Sequence, residues 1–89
     1  MLENDIRMML AEGRIADAQA AADEALAQMA ENAELLYLRG QVAMKQSLWG
    51  EAISFFLRAE ELDPAGPARE AREMLDDIMA FYNKDMYNQ

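Results

Sequence analysis

Apolar positions recur with helical period along almost the whole chain. Leu2, Ile6, Met9 and Leu10 fall at i, i+4, i+7 and i+8, one face of a first helix. Ile15, Ala18, Ala22, Ala25, Leu26 and Met29 form the stripe of a second helix rich in small residues. Asn32 predicts the cap of a third: its amide oxygen can take a free backbone N–H of the first turn, where the dipole also favours Glu34. Leu36, Gly40, Ala43 and Met44 share one side of that helix. A fourth is expected from about Trp49 to Leu62, carrying Ala52, Ile53, Phe56, Ala59 and Glu60. Pro64 ends it, because the residue before a proline is pushed out of the α region. Pro67 opens a fifth helix at its first position, where a missing N–H costs nothing, and Ala71, Met74, Leu75, Ile78 and Tyr82 mark its apolar face. The breaks are Gly13, Gln46-Ser47 with Gly50, the run from Asp63 to Pro67, and more weakly Glu31-Asn32.

Shifting the sequence by 34 residues makes breaks and small residues coincide. Gly13 falls on Ser47, Ile15 on Trp49, Ala18 on Ala52, Ala22 on Phe56 and Ala25 on Ala59; Leu2 falls on Leu36 and Leu10 on Met44. Residues 33–66 resemble a tetratricopeptide repeat. The family pattern W-x2-L-G-x2-Y…A-x3-F…P is met by Leu36-x2-Arg39-Gly40-x2-Ala43…Ala52-x3-Phe56…Pro64, with Ala59 between. Leu36, Arg39 and Ala43 replace an aromatic, an apolar residue and a tyrosine. Residues 1–32 resemble a degenerate earlier copy in which Ile6 stands at the close-packing glycine position. Residues 67–82 resemble a capping helix, with Glu70, Glu73 and Asp77 at would-be core sites, and 83–89 form a tail. The resemblance implies one all-α domain over 1–82, a short right-handed solenoid of helical hairpins with five helices.

Composition agrees with an all-α chain. Of 89 residues 53% are hydrophobic, but 17 are alanine; one Val, four Ile and no Thr leave little for strands. Two repeats and a cap lie near the lower limit for a solenoid. Such a chain either manages on a thin core or covers apolar surface against another protein. Seventeen acidic residues against eight basic ones give a net charge of −9. That sign is repelled by nucleic acid and by anionic membrane surfaces, so neither is expected as a partner. The N-terminal run MLENDIRMML carries Glu3 and Asp5 where a signal peptide wants Lys or Arg, and no run approaches the ~20 apolar residues of a membrane span. A cytoplasmic location is the expectation.

Chemistry is poorly supplied. Without histidine or cysteine, the commonest general base, metal ligand and thiolate are all missing. Ser47 and Ser54 are the only hydroxyl nucleophiles outside tyrosine, and neither has a base nearby in sequence. The pairs Asp23-Glu24, Glu60-Glu61 and Asp76-Asp77 point about 100° apart on a helix, so they do not converge on a proton or a metal. Arg69 with Glu73 and Arg72 with Asp76 are i,i+4 neighbours that predict a solvated, ion-paired face. Neither catalysis, nor a metal, nor a cofactor is expected.

Eight methionines suit an adaptable surface, with Met9, Met29 and Met74 expected on core stripes. In the repeat family the first helix of each unit lines a concave groove that holds a peptide. By the period, that groove would present Arg7, Tyr37, Gln41, Met44, Lys45, Arg72, Leu75 and Met79, together with Glu3, Leu10 and Glu34. Tyr37, Gln41 and Met44 are the foremost contact candidates, and Arg7, Lys45 and Arg72 would let the groove accept a carboxylate or an acidic patch. Family members that hold the C-terminal carboxylate of heat-shock chaperones need Lys, Asn and Arg at sites occupied here by Glu3, Arg7, Leu38, Ala68 and Arg72; only Arg72 fits, so that role is not implied. The expected function is non-catalytic capture of a partner's peptide or helix. The alternative is a structural homodimer closed by the groove, the capping helix or the tail, where Phe81, Tyr82, Met86 and Tyr87 are large. The tail would pack back on the fifth helix or enter a neighbour's groove.

Overall fold

The computed structural model describes the backbone of residues 2–87 and the side chains of residues 2–81. Its helices are α1 (Leu2–Ala11), α2 (Ile15–Gln28), α3 (Ala33–Lys45), α4 (Trp49–Leu62) and α5 (Ala68–Tyr87), with no strand among the described residues. The all-α, five-helix expectation is met. Two boundaries differ from the sequence reading. Pro67 precedes α5, its carbonyl accepting from the Ala71 N–H at 3.2 Å, and α5 continues to Tyr87 through what the apolar pattern marks as tail.

The turns after α1 and α3 are the same motif 34 residues apart. In the first, the Arg14 N–H donates to Met9 O (2.8 Å) and the Gly13 N–H to Leu10 O (3.1 Å). In the second, the Leu48 N–H donates to Ala43 O (2.9 Å) and the Ser47 N–H to Met44 O (3.0 Å). This pair of reverse bonds satisfies carbonyls that a helix end otherwise orphans, and it needs one left-handed residue. Gly13 (φ 78°) and Ser47 (φ 61°) are those residues. The repeat is therefore written in the backbone as well as in the side chains. Asn32 caps α3 as its position predicts, its side-chain oxygen accepting from the Leu35 N–H at 3.0 Å.

The core is two clusters with α3 between them. Ile6, Ala18, Ala22 and Ala25 meet Leu35, Leu38 and Val42 on one side. On the other, Leu36 and Ala43 meet Ala52, Phe56, Ala59, Ala68 and Leu75. Ala18 and Ala52, Ala22 and Phe56, Ala25 and Ala59 are buried pairwise at the spacing of the repeat. Volume is exchanged between the copies. The clear repeat sets Gly40 against Phe56; the degenerate one places bulky Ile6 in the cluster that holds the small Ala22. Packing runs α1 on α2, α2 on α3, α3 on α4 and α4 on α5, with α1 also against α3. Each element meets near neighbours, which is how a solenoid accumulates a core.

Several stripe assignments are corrected. Met29 follows α2 as its C-cap and is exposed. On α5, Leu75 and Ala68 are buried against α4, while Met74 and Ile78 stand 49% and 42% exposed. With α4 as its packing neighbour, α5 buries a narrower stripe than its apolar face offers. Met9 does pack on the first cluster. The family's apolar site at Arg39 is filled by an ion-paired arginine that is only 6% exposed; its Nε donates to Asp23 Oδ1 of α2 at 2.7 Å. Its guanidinium also lies over the Phe55 ring of α4, 4.9 Å from the centroid.

Candidate functional site

α3 is buried on nearly every side. Leu35, Leu36, Leu38, Arg39, Gly40, Val42 and Ala43 are all enclosed. Besides Ala33 at its first position, what remains uncovered is Glu34, Tyr37, Gln41, Met44 and Lys45, at i, i+3, i+7, i+10 and i+11, a single helical face. That face opens into two adjacent cavities. The first, of about 270 Å³, lies between Arg7 of α1, Ala33, Glu34 and Tyr37 of α3, and the α4–α5 turn with Asp63, Gly66 and Pro67. The second, of about 430 Å³, is formed by Leu10 and Ala11 of α1, Gln41, Met44 and Lys45 of α3, and Trp49 at the start of α4.

The wall between them is ordered by local contacts. Gln41 Nε2 donates to Tyr37 Oη at 2.9 Å, one helical turn apart. The Tyr37 ring leans on the buried Phe56 ring, with centroids 5.6 Å apart at an interplanar angle of 40°. Such a tilted pair adds to the area the rings bury, and it holds Tyr37 by its ring while its hydroxyl reaches the groove. In the second cavity Leu10 and Met44 are half-buried and Trp49 is 41% exposed, so the walls are apolar and accessible.

The structure thus gathers Arg7, Tyr37, Gln41, Met44 and Lys45 from the residues expected to line a groove, together with Leu10 and Glu34. It sets the α5 residues apart. Leu75 is 1% exposed and belongs to the second core cluster. Arg72 is drawn to α4, where Nε donates to Glu60 Oε2 at 2.7 Å and Nη2 to Oε1 at 3.1 Å, while Nη1 meets Asp76 at 2.8 Å. This two-pronged bond to a carboxylate holds Glu60 ionised below its ordinary pKa and raises that of Arg72. Met79 is half-buried and lines neither cavity.

Arg7 is likewise spent, its Nη2 paired with Glu34. The expectation of an acid-accepting groove built on Arg7, Lys45 and Arg72 is corrected accordingly: two of its three cations already carry carboxylates. Leu38 and Ala68, two of the chaperone-tail positions, are buried. The expected i,i+4 pair Arg69–Glu73 forms at 2.9 Å on the exposed face. Trp49 lines the second cavity and is the position there that the repeat pattern misses. The period aligned it with Ile15 of α2, and its sideways reach to α1 depends on how the hairpins are rotated. The expected placement of the tail side chains from Tyr82 onward lies outside the described residues. No helix among the described residues is long and apolar enough to cross a membrane.

The fold is similar to the solution NMR structure of the Bacteroides fragilis protein BF1650, at 39% sequence identity and a TM-score of 0.84, over 98% of this chain and 89% of that one. No curated protein sequence matches the chain. The family model described as tetratricopeptide repeat matches residues 10–67, from the end of α1 to the turn before α5. With that match spanning most of the chain, and with its turns and buried alanines repeating every 34 residues, the protein belongs to the tetratricopeptide repeat family.

Proposed function

We propose that the uncovered face of α3, with the facing parts of α1 and the α4–α5 turn, is a docking groove for a peptide segment or helix of a partner protein, and that the chain is a non-catalytic adaptor. Tetratricopeptide repeats generally mediate protein–protein interactions. The observation that carries the finer reading is the strip Glu34, Tyr37, Gln41, Met44 and Lys45: it is the open side of an otherwise enclosed helix, and it opens into both cavities. A half-buried aromatic and a methionine at the centre of such a strip suit an interface core. A cytoplasmic location accords with this role.

The test is a comparison of captured partners between the wild-type chain and Gln41→Ala/Met44→Ala, with Arg58→Ala on α4 as the control and thermal melts to verify folding. Loss of the partners in the groove variant and their retention in the control is the expected result. Partners held equally by all three chains would remove the groove from consideration.

A homodimer is the second reading, favoured by the exposed Met74 and Ile78 one turn apart on α5. Light scattering over a wide concentration range decides it. A dimer that Ile78→Glu dissolves and Gln41→Ala/Met44→Ala leaves intact would place self-association on α5.

A further inference from the structure

The charges of the groove are unevenly spent, and on the groove reading above they name the partner's chemistry. Four charged side chains line the two cavities: Arg7, Glu34 and Asp63 in the first and Lys45 in the second. Arg7 and Glu34 neutralise each other. Asp63 and Lys45 make no ion pair among the described residues. The first cavity therefore holds one uncompensated carboxylate, in a chain whose net charge of −9 attracts cations from a distance. Asp63 is held in the α4–α5 turn against Gly66, where an added Cβ would lie 2.8 Å from its Oδ2.

The second cavity has the opposite character. Leu10, Ala11, Met44 and Trp49 make its walls apolar, and Lys45 at its rim repels a second cation. Along α3, Tyr37 of the first cavity and Met44 of the second are seven positions apart, or roughly 10 Å at 1.5 Å per residue. Two turns of a docked helix cover the same distance and return to the same face.

We infer that the groove takes a basic amphipathic helix of a partner protein, its Lys or Arg reaching Asp63 in the first cavity and a Leu, Met or Phe two turns away filling the second. The order is fixed by charge, because exchanging the two positions would bring the ligand's cation to Lys45.

Trp49 is the single tryptophan of the chain and lines the second cavity, so its emission reports occupancy directly. The probes are synthetic tryptophan-free helical peptides on one Ala/Gln background: one with Lys two turns from Leu, and the same peptide with Glu in place of Lys. The lysine peptide is expected to bind about tenfold more tightly than the glutamate peptide. Asp63→Asn should abolish that preference, and Met44→Ala should weaken both peptides. Equal affinity, tighter binding of the glutamate peptide, or no binding of the lysine peptide up to about 1 mM overturns the inference. A glutamate peptide that binds at least as tightly as the lysine peptide, and in a Met44-dependent way, overturns the charge assignment alone and leaves the groove standing. Binding of either peptide that ignores both Met44→Ala and Gln41→Ala overturns the groove itself.

Discussion

Gly40 of α3 and Phe56 of α4 occupy each other's space: a Cβ on Gly40 would stand 2.6 Å from Phe56 Cδ1, 3.0 Å from Cζ and closer still to Cε1. The ring is wholly buried, so it has nowhere to turn. Gly40 is thus required by approach, its absent side chain being the seat of the ring that also supports Tyr37.

Gly40→Ala is expected to cost about 1–3 kcal/mol through overpacking. Phe56→Leu alone loses ring contacts, yet in combination with Gly40→Ala it makes room for the methyl. Urea melts of the two single variants and the double should show the double to be less destabilised than the sum. Simple additivity would mean that the two sites do not share the space.

Ser47 carries the left-handed conformation that Gly13 carries one repeat earlier, with the same pair of reverse hydrogen bonds. A side chain in that region pays roughly 1–2 kcal/mol that glycine does not, offset in part by glycine's freer unfolded chain. Ser47→Gly should therefore stabilise by about 0.5–1 kcal/mol, a rise of a few degrees in Tm. Gly13→Ser should cost a similar amount. An unchanged or lowered Tm for Ser47→Gly would contradict the equivalence of the turns.

Arg39 stands where the family has an apolar residue, and it is held by Asp23, half-exposed on α2, and by the Phe55 ring. Its Nη1 is buried without a hydrogen-bond partner among the described residues. Replacing a buried ion by an apolar side chain of similar length is often neutral or stabilising, whereas removing only the counter-charge strands it. Arg39→Leu is expected to hold or raise Tm. Asp23→Ala should lower stability by about 1–3 kcal/mol. The reverse order in denaturant titrations would show that the arginine's stacking on Phe55 outweighs its desolvation.

The helices were legible because their ends carry turn chemistry: Gly13, Asn32 and Pro64 each leave one local conformation, and local conformation is what a sequence encodes most directly. The paired alanines were legible as well, since Ala18, Ala52, Ala25 and Ala59 repeat at the period of the fold. The open face of α3 was legible as well, because its neighbours bury the helix on the other sides. On α5 the same reasoning misplaced Leu75, Met74 and Ile78. A helix with one main packing neighbour can satisfy its core with Ala68 and Leu75 and leave the rest of its apolar face open, and the fork from Arg72 to Glu60 joins it to α4 on the same side. Pairs such as Arg7–Glu34, 27 residues apart, depend on the rotation of whole hairpins and leave no periodic trace. That is why Arg7 and Arg72 read as free cations in the sequence and are paired in the fold.

The fork between Arg72 and Glu60 makes stability fall in acid. Arg72 holds Glu60 charged below the carboxyl's ordinary 4.5, chiefly by hydrogen bonding. The unfolded chain takes up a proton near 4.5 and the folded chain only at lower pH, so between the two values the unfolded state binds more protons. The stabilisation is therefore complete above about pH 4.5 and is lost as pH drops through the depressed folded value. Glu60→Gln should lower the Tm at pH 7 and flatten its decline in acid, because the variant has no carboxyl at this position to protonate. Tm profiles of the two chains should accordingly be separated at neutral pH and converge below pH 4.5. Parallel profiles over that window would show that other carboxylates set the acid limit and that the α4–α5 fork contributes nothing to it.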